Sequence, residues 1–236
     1  MPLPFQVQSD HAGTAALALI ICAGLTGRWT AGFAGRYSRL LESMLIGRKS
    51  AERKTVAPAP LQHGGAALMA VIAGLFQAKY GFTLVAAGLT VAAHMLLILA
   101  IVDANTGLLP DALTLPLLWL GLALAWVGGP VCLRDAVAGA AVGYAFLWLL
   151  FQLYRYVRKC DGMGYGDFKL FAALGAWVGP TMLPYVMLAA CVAAILCAWW
   201  PRKRLRLKQS HPFGPFLAAG GVGAMLLAPA VQSCFY

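Results

Sequence analysis

Seven stretches of this chain run without a single Asp, Glu, Lys or Arg: 11–27, 55–78, 80–102, 112–133, 136–154, 170–200 and 209–236. A helix needs about 20 predominantly apolar residues to cross a hydrocarbon layer, with a range of about 17–25. In lipid the backbone must pair its own N–H and C=O groups, as a helix does. Composition agrees with spans: of 236 residues, 61% are apolar and 11% charged, where a soluble domain carries about 25% charged residues. Disorder, a disulfide scaffold and an ordinary cytosolic enzyme fit poorly. The expected fold class is all-α, a polytopic integral membrane protein.

The formal charge of +10 need not mean nucleic acid. The bases gather in a few loops between apolar runs, and there are too few exposed aromatics for a base-stacking platform. Lys and Arg are retained preferentially on the cytoplasmic side of a membrane, and that rule fixes the number of crossings. With the N-terminus outside, Arg28–Lys54 lies inside with seven bases, and Arg155–Lys169 inside with four. The run Arg202–Lys208, with five bases, falls inside only if 170–200 crosses twice, broken at Gly179-Pro180. Sixteen of the 18 bases are then cytoplasmic, and only Lys79 and Arg134 lie outside. The count predicts about eight transmembrane helices with both termini on the non-cytoplasmic side. The sixth, near Leu170–Val178, is too short for about 30 Å at about 1.5 Å per residue. It must extend back through Phe168, be shielded by its neighbours, or sit in a thinned bilayer.

The N-terminal MPLPFQVQSDHAG has no basic n-region and no small-residue cleavage site follows the first span, so that segment is expected to stay. None of the six cysteines falls in a C-x-x-C pair, and they read as small apolar packing residues. No internal repeat is present. The stretch Trp29–His63, with Ala57-Pro58-Ala59-Pro60 as a linker-like end, is the one place with room for a small soluble domain. The chain therefore divides into 1–63, a first transmembrane helix plus a basic cytoplasmic loop, and 64–236.

In so apolar a chain the eight acids are informative. Asp10, Glu42, Glu52 and Asp135 sit in loops or at span ends as solvated charge, and Asp161 reads as a loop charge too. Asp111 follows Pro110 and opens an apolar run, so N-capping explains it as well as a functional role does. Asp167 closes Gly162-Met-Gly-Tyr-Gly-Asp167; its bland role is a helix cap with Lys169 as salt partner. A phosphate loop would continue with Gly-Lys-Ser/Thr, and this one does not. Asp103 is harder to dismiss. It closes a long apolar helix, where it faces the negative end of the helix dipole beside lipid, and an acid at such depth is a functional candidate. Two aspartates on one membrane face are what acid–base hydrolysis requires: held about 3 Å apart, they share one proton. One then takes a proton from water as it attacks a carbonyl, and the other protonates the leaving amine.

The segments Asp103-Ala-Asn-Thr-Gly-Leu-Leu-Pro-Asp111, running on to Trp119, and Gly164-Tyr-Gly-Asp167-Phe-Lys169, running on to Trp177, resemble the two signature regions of the type IV prepilin peptidases. These are membrane aspartyl proteases of the GxGD class, and the similarity runs from about Leu84 to the C-terminus. The resemblance implies a catalytic pair of Asp103 and Asp167, supported by Gly164, Gly166, Lys169, Pro110 and Asp111. It also implies cleavage of type IV prepilins or pseudopilins after a short basic leader, at the cytoplasmic face of a bacterial inner membrane. Many members carry two C-x-x-C pairs that bind zinc in a cytoplasmic loop, and methylate the new N-terminus with S-adenosylmethionine. The matching loop here, Trp29–His63, has no cysteine, so a four-cysteine zinc site cannot form in it. No metal or cofactor is expected for peptide cleavage, and S-adenosylmethionine only if methylation is retained. Two other classes compete: a proton-coupled transporter, disfavoured because the acids lie at one face and no halves repeat, and a non-catalytic subunit of a pilus or secretion apparatus. Neither the oligomeric state nor the pilin is readable from the sequence.

Overall fold

The computed structural model describes residues 7–46, 59–81, 83–158, 164–199 and 212–228. Those residues form eight helices and no strand: α1 (Val7–Ile46), α2 (Ala59–Tyr80), α3 (Leu84–Thr106), α4 (Asp111–Trp126), α5 (Leu133–Arg158), α6 (Tyr165–Val178), α7 (Leu183–Trp199) and α8 (Gly214–Leu227). The all-α class is as expected. By length and apolar composition α3 and α5 are long enough to cross a membrane, and α4, α7 and α8 are shorter apolar helices. The chain divides into two compact units, Met1–His94 and Met95–Tyr236.

In the first unit α1 packs on α2. Glycine makes the crossing close, because a Cβ on Gly27 would lie 2.7 Å from that of Met69. His94 adds polar contacts: its Nδ1 lies 2.8 Å from the Thr90 carbonyl, its Nε2 3.0 Å from Thr26 Oγ1. Helix α1 does not end near Gly27. It continues through Arg28, Arg36 and Arg39 to Ile46, so Trp29–Ile46, expected as the start of a loop, is helical. That stretch contains no proline and is supplied with Arg, Leu, Glu and Met, all good helix formers.

The second unit is built around α6. Every residue from Asp167 to Val178 except Lys169 is buried, with α4, α5, α7 and α8 packed on it. At 14 residues it rises only about 21 Å, and its neighbours shield it. It also starts at Tyr165, ahead of the expected Leu170. Gly179, with φ of 76°, ends it, and α7 starts four residues on, so the long apolar run does form two helices. Closest packing is against α5, where Gly139 and Gly175 meet: a Cβ on either would run into the other's backbone. Trp177 Nε1 donates to the Leu117 carbonyl at 2.9 Å, fixing α6 to α4. Phe151, Tyr165 and Phe168 pack with ring centroids 5.3–5.6 Å apart and pin the start of α6.

The cysteines depart from the expectation of simple packing residues. Cys132, just before α5, is disulfide-bonded, while Cys22, Cys191 and Cys197 are free thiols. Asp161, Cys160, Cys234 and the run Arg202–Lys208 lie outside the described residues.

Candidate active site

Asp103 lies in the last turn of α3 and Asp167 in the first turn of α6, 4% and 8% exposed respectively. Both line one cleft of about 720 Å³, together with Leu109, Gly164, Gly166 and Phe213. The sequence between Asp103 and Asp111 makes this meeting possible. The Gly107 N–H donates to the Asp103 carbonyl at 2.8 Å, closing α3 with a left-handed φ of 68° that glycine adopts without strain. The chain then passes over α6, where a Cβ on Gly166 would lie 2.7 Å from that of Leu109. Gly166 is therefore a contact glycine: any side chain there would push the loop after Asp103 off the start of α6. Gly164 is the N-cap of α6 in extended conformation and accepts the Asp167 N–H at 3.2 Å.

Asp103 has a further partner that sequence reasoning missed. Its Oδ2 accepts the backbone N–H of Gly214 at 2.8 Å, and Gly214 is the first residue of α8. A buried carboxyl is costly unless hydrogen-bonded, and the negative end of α3's own dipole opposes it. The N-terminus of α8 offers the opposite, positive end together with a free N–H. Glycine is required there because a Cβ would stand 2.7 Å from Oδ2. One local signal was present: Phe213-Gly214-Pro215 opens an apolar run with proline at a position typical of a helix's first turn.

The neighbours expected around the pair are arranged differently. The N-cap of α4 is Pro110, with no side-chain capping bond, so Asp111 is not a cap. Its two carboxylate oxygens instead each lie 2.7 Å from Lys169 Nζ. Lys169 is thus the partner of Asp111 and not of Asp167. The physical reason is direction: Asp167 turns into the cleft, while Lys169, two residues on, leaves α6 on its one unburied side towards α4. The ion pair ties the first turns of α4 and α6 together. Nor is Asp167 a cap, since the N-cap of α6 is Gly164, with no side-chain capping bond.

The site thus offers two buried carboxyl groups facing one cleft, one of them fixed by a backbone amide. Paired carboxyls of this kind activate a water and polarise a carbonyl. Among the described residues no group of three or more His, Cys, Asp or Glu side chains is placed to hold a metal.

Residues 90–199 match the sequence model of the type IV leader peptidase family. Similar proteins include a prepilin leader peptidase/N-methyltransferase of Burkholderia pseudomallei (strain 1026b), 50% identical over 148 residues, which cover 61% of this chain and 47% of that one. One of Pseudomonas putida is 40% identical over 188 residues, 77% of this chain and 63% of its own. One of Pseudomonas aeruginosa is 44% identical over 161 residues, 66% and 55% of the two chains. The chain thus spans about half to two-thirds of the length of these relatives. No solved structure matches it.

Proposed function

We propose that this chain, a member of the type IV leader peptidase family through its residues 90–199, is a membrane-embedded aspartic endopeptidase that removes a short leader from type IV prepilins or pseudopilins. The observation that carries the reading is the pair Asp103 and Asp167, buried and facing one cleft. One carboxylate takes a proton from a water in the cleft as the water's oxygen bonds to the scissile carbonyl carbon. The other, protonated, hydrogen-bonds to that carbonyl oxygen and then gives its proton to the leaving amine as the C–N bond breaks. The Gly214 amide holds Asp103 in place throughout.

The working arrangement is eight crossings of a bacterial inner membrane, with the dyad at the cytoplasmic face and both termini outside. The distribution of Lys and Arg supports it. So does the disulfide at Cys132, since the connection from α4 to α5 falls on the outer side and disulfides persist in oxidising compartments. The zinc of many relatives does not fit this chain: a four-cysteine site needs ligands that Trp29–His63 does not contain. Cleavage is assigned to the aspartates alone, without cofactor, and methylation of the new N-terminus is left to the test.

That test is mass spectrometry of a prepilin co-expressed with this protein. Leader removal with a free amine supports a peptidase without methylation, and removal with one added methyl means methylation without the usual zinc site. An uncut leader on a well-matched substrate overturns the reading in favour of a transporter or a non-catalytic subunit.

A further inference from the structure

Cys132 is disulfide-bonded, and the geometry of α5 identifies its partner. Cys22, Cys191 and Cys197 are free thiols, which leaves Cys160 and Cys234. Helix α5 separates the first of these from Cys132. It opens where the Cys132 carbonyl accepts the Ala136 N–H at 2.8 Å and runs 26 residues to Arg158, a rise of about 38 Å. The one residue before it and the two after it recover at most about 11 Å. More than about 25 Å remains, whereas a disulfide holds its Cα atoms about 4.4–6.8 Å apart. Cys160 is excluded.

Cys234 can make the bond, because α5 and α8 bring the required ends to one end of α6. Gly139 of α5 meets Gly175, and Gly143 meets Phe171, so α5 runs antiparallel to α6. Cys132, seven residues before Gly139, stands about 10 Å beyond that crossing. At the start of α8 Gly214 donates to Asp103, which shares its cleft with Asp167. Further along, a Cβ on Gly221 would run into Leu174. Helix α8 is therefore parallel to α6, and Leu227, six residues after Gly221, stands about 9 Å beyond that contact. Leu174 and Gly175 are neighbours, so Cys132 and the end of α8 lie at one level. Both helices pack on α6, and packed axes are about 8–10 Å apart, so the lateral gap is at most about 20 Å. The six residues from Ala228 to Cys234 reach up to about 20 Å.

We propose that Cys132 and Cys234 form one disulfide, which ties α8 to the start of α5 at the end opposite its contact with Asp103. The helix whose first amide holds Asp103 is then fixed at both ends. Formation is an exchange with a protein-disulfide oxidant: the two thiols lose two protons and two electrons as the S–S bond forms, and the oxidant leaves as a dithiol. Such an oxidant belongs to an oxidising compartment, which is the side assigned above to the connection from α4 to α5.

The test begins with the full chain, denatured without reductant, alkylated with N-ethylmaleimide, digested and analysed by mass spectrometry. Alkylation of Cys22, Cys160, Cys191 and Cys197 is expected, with a peptide pair joining Cys132 to Cys234 that separates on reduction. Alkylation of all six cysteines, a Cys132–Cys160 peptide, or a Cys132 bond between two copies overturns the pairing. Amide hydrogen exchange of the folded protein then reads the effect on α8. In the Cys132→Ser/Cys234→Ser variant, exchange over Gly214–Phe216 should rise about tenfold or more, while that of α1 stays unchanged. Wild type reduced with a phosphine gives the same comparison if the double variant does not fold. Unchanged exchange over Gly214–Phe216 once the bond is absent overturns its role in holding the helix at Asp103. None of these readouts requires cleavage, so an uncut prepilin would overturn the peptidase reading and leave the disulfide standing.

Discussion

Gly214→Ala isolates one contact in the candidate active site. The residue is not among the glycines with positive φ, so alanine needs no left-handed backbone; standing before Pro215 it meets a small steric cost in the helical region, and its larger effect is the contact of its methyl with Asp103. That methyl would stand 2.7 Å from Asp103 Oδ2, 3.0 Å from its Cγ and 3.1 Å from its Cβ. Because the contact reaches the Asp103 Cβ, rotating the carboxyl alone does not relieve it; α3 and the start of α8 must separate by several tenths of an ångström. The bond from Gly214 N, 2.8 Å long, then weakens, and a hydrogen bond to a charged group is worth about 1.5–3 kcal/mol. At about 1.4 kcal/mol for each tenfold in rate, losing that bond corresponds to about 10- to 10²-fold. We expect kcat for prepilin cleavage to fall about 10- to 10²-fold with KM little changed, read from initial rates in proteoliposomes. Gly223→Ala is the control: it lies on the same helix, with nothing within 4 Å of the added methyl, and should cleave like wild type. Wild-type kcat in Gly214→Ala would refute the argument that this amide positions Asp103. Equal losses in both variants would also refute it, since the effect would then belong to the helix.

Other outcomes follow from the same geometry. Asp103→Asn or Asp167→Asn should each abolish cleavage while the protein remains folded and inserted, and full activity in either rules out that dyad. Asp111→Asn and Lys169→Met break an ion pair whose side chains are 55% and 35% exposed, so each should cost no more than about 1 kcal/mol and leave measurable cleavage. Abolished cleavage in a stable Asp111→Asn protein would move the catalytic role from Asp103 to Asp111. Gly175→Ala drives a methyl into the Gly139 backbone and should lower the thermal midpoint in detergent by several degrees, and an unchanged midpoint would contradict the close α5–α6 crossing. Zinc chelators should leave the cleavage rate unchanged; inhibition reversed by added zinc would mean a metal site not found in this sequence.

The features readable from sequence were those set by solvation. Charge-free runs marked the helices, and the run 170–200, expected to be broken at Gly179-Pro180, forms two helices, one ending at Gly179 and the next starting at Leu183. The length of α1 was not readable, because Arg28, Arg36 and Arg39 look like the start of a loop to a reader counting charges. Helix propensity has no objection to arginine, and nothing in Trp29–Ile46 breaks the helix. Local reading also misassigned the partners of Asp111 and Lys169. Each had a plausible neighbour in sequence, but the bond is made across 58 positions, and side-chain direction, not proximity along the chain, decides it.

The placement of Gly214 explains how a site of this kind is tolerated at all. A carboxyl at the C-terminus of an apolar helix is opposed by that helix's dipole and by burial, and neither α3 nor the loop after it supplies a compensating donor to Oδ2. Compensation comes from a helix 111 positions away, whose first N–H has no partner of its own within the helix. The arrangement satisfies an orphan donor and a buried acceptor with one bond. It also ties Asp103 to a part of the chain beyond the two signature segments. Sequence patterns centred on those segments find the aspartates but not what holds one of them, since a backbone amide is carried by every residue except proline and leaves no mark in the sequence. What the sequence does carry is the missing side chain of Gly214 and the proline after it that marks the first turn of α8.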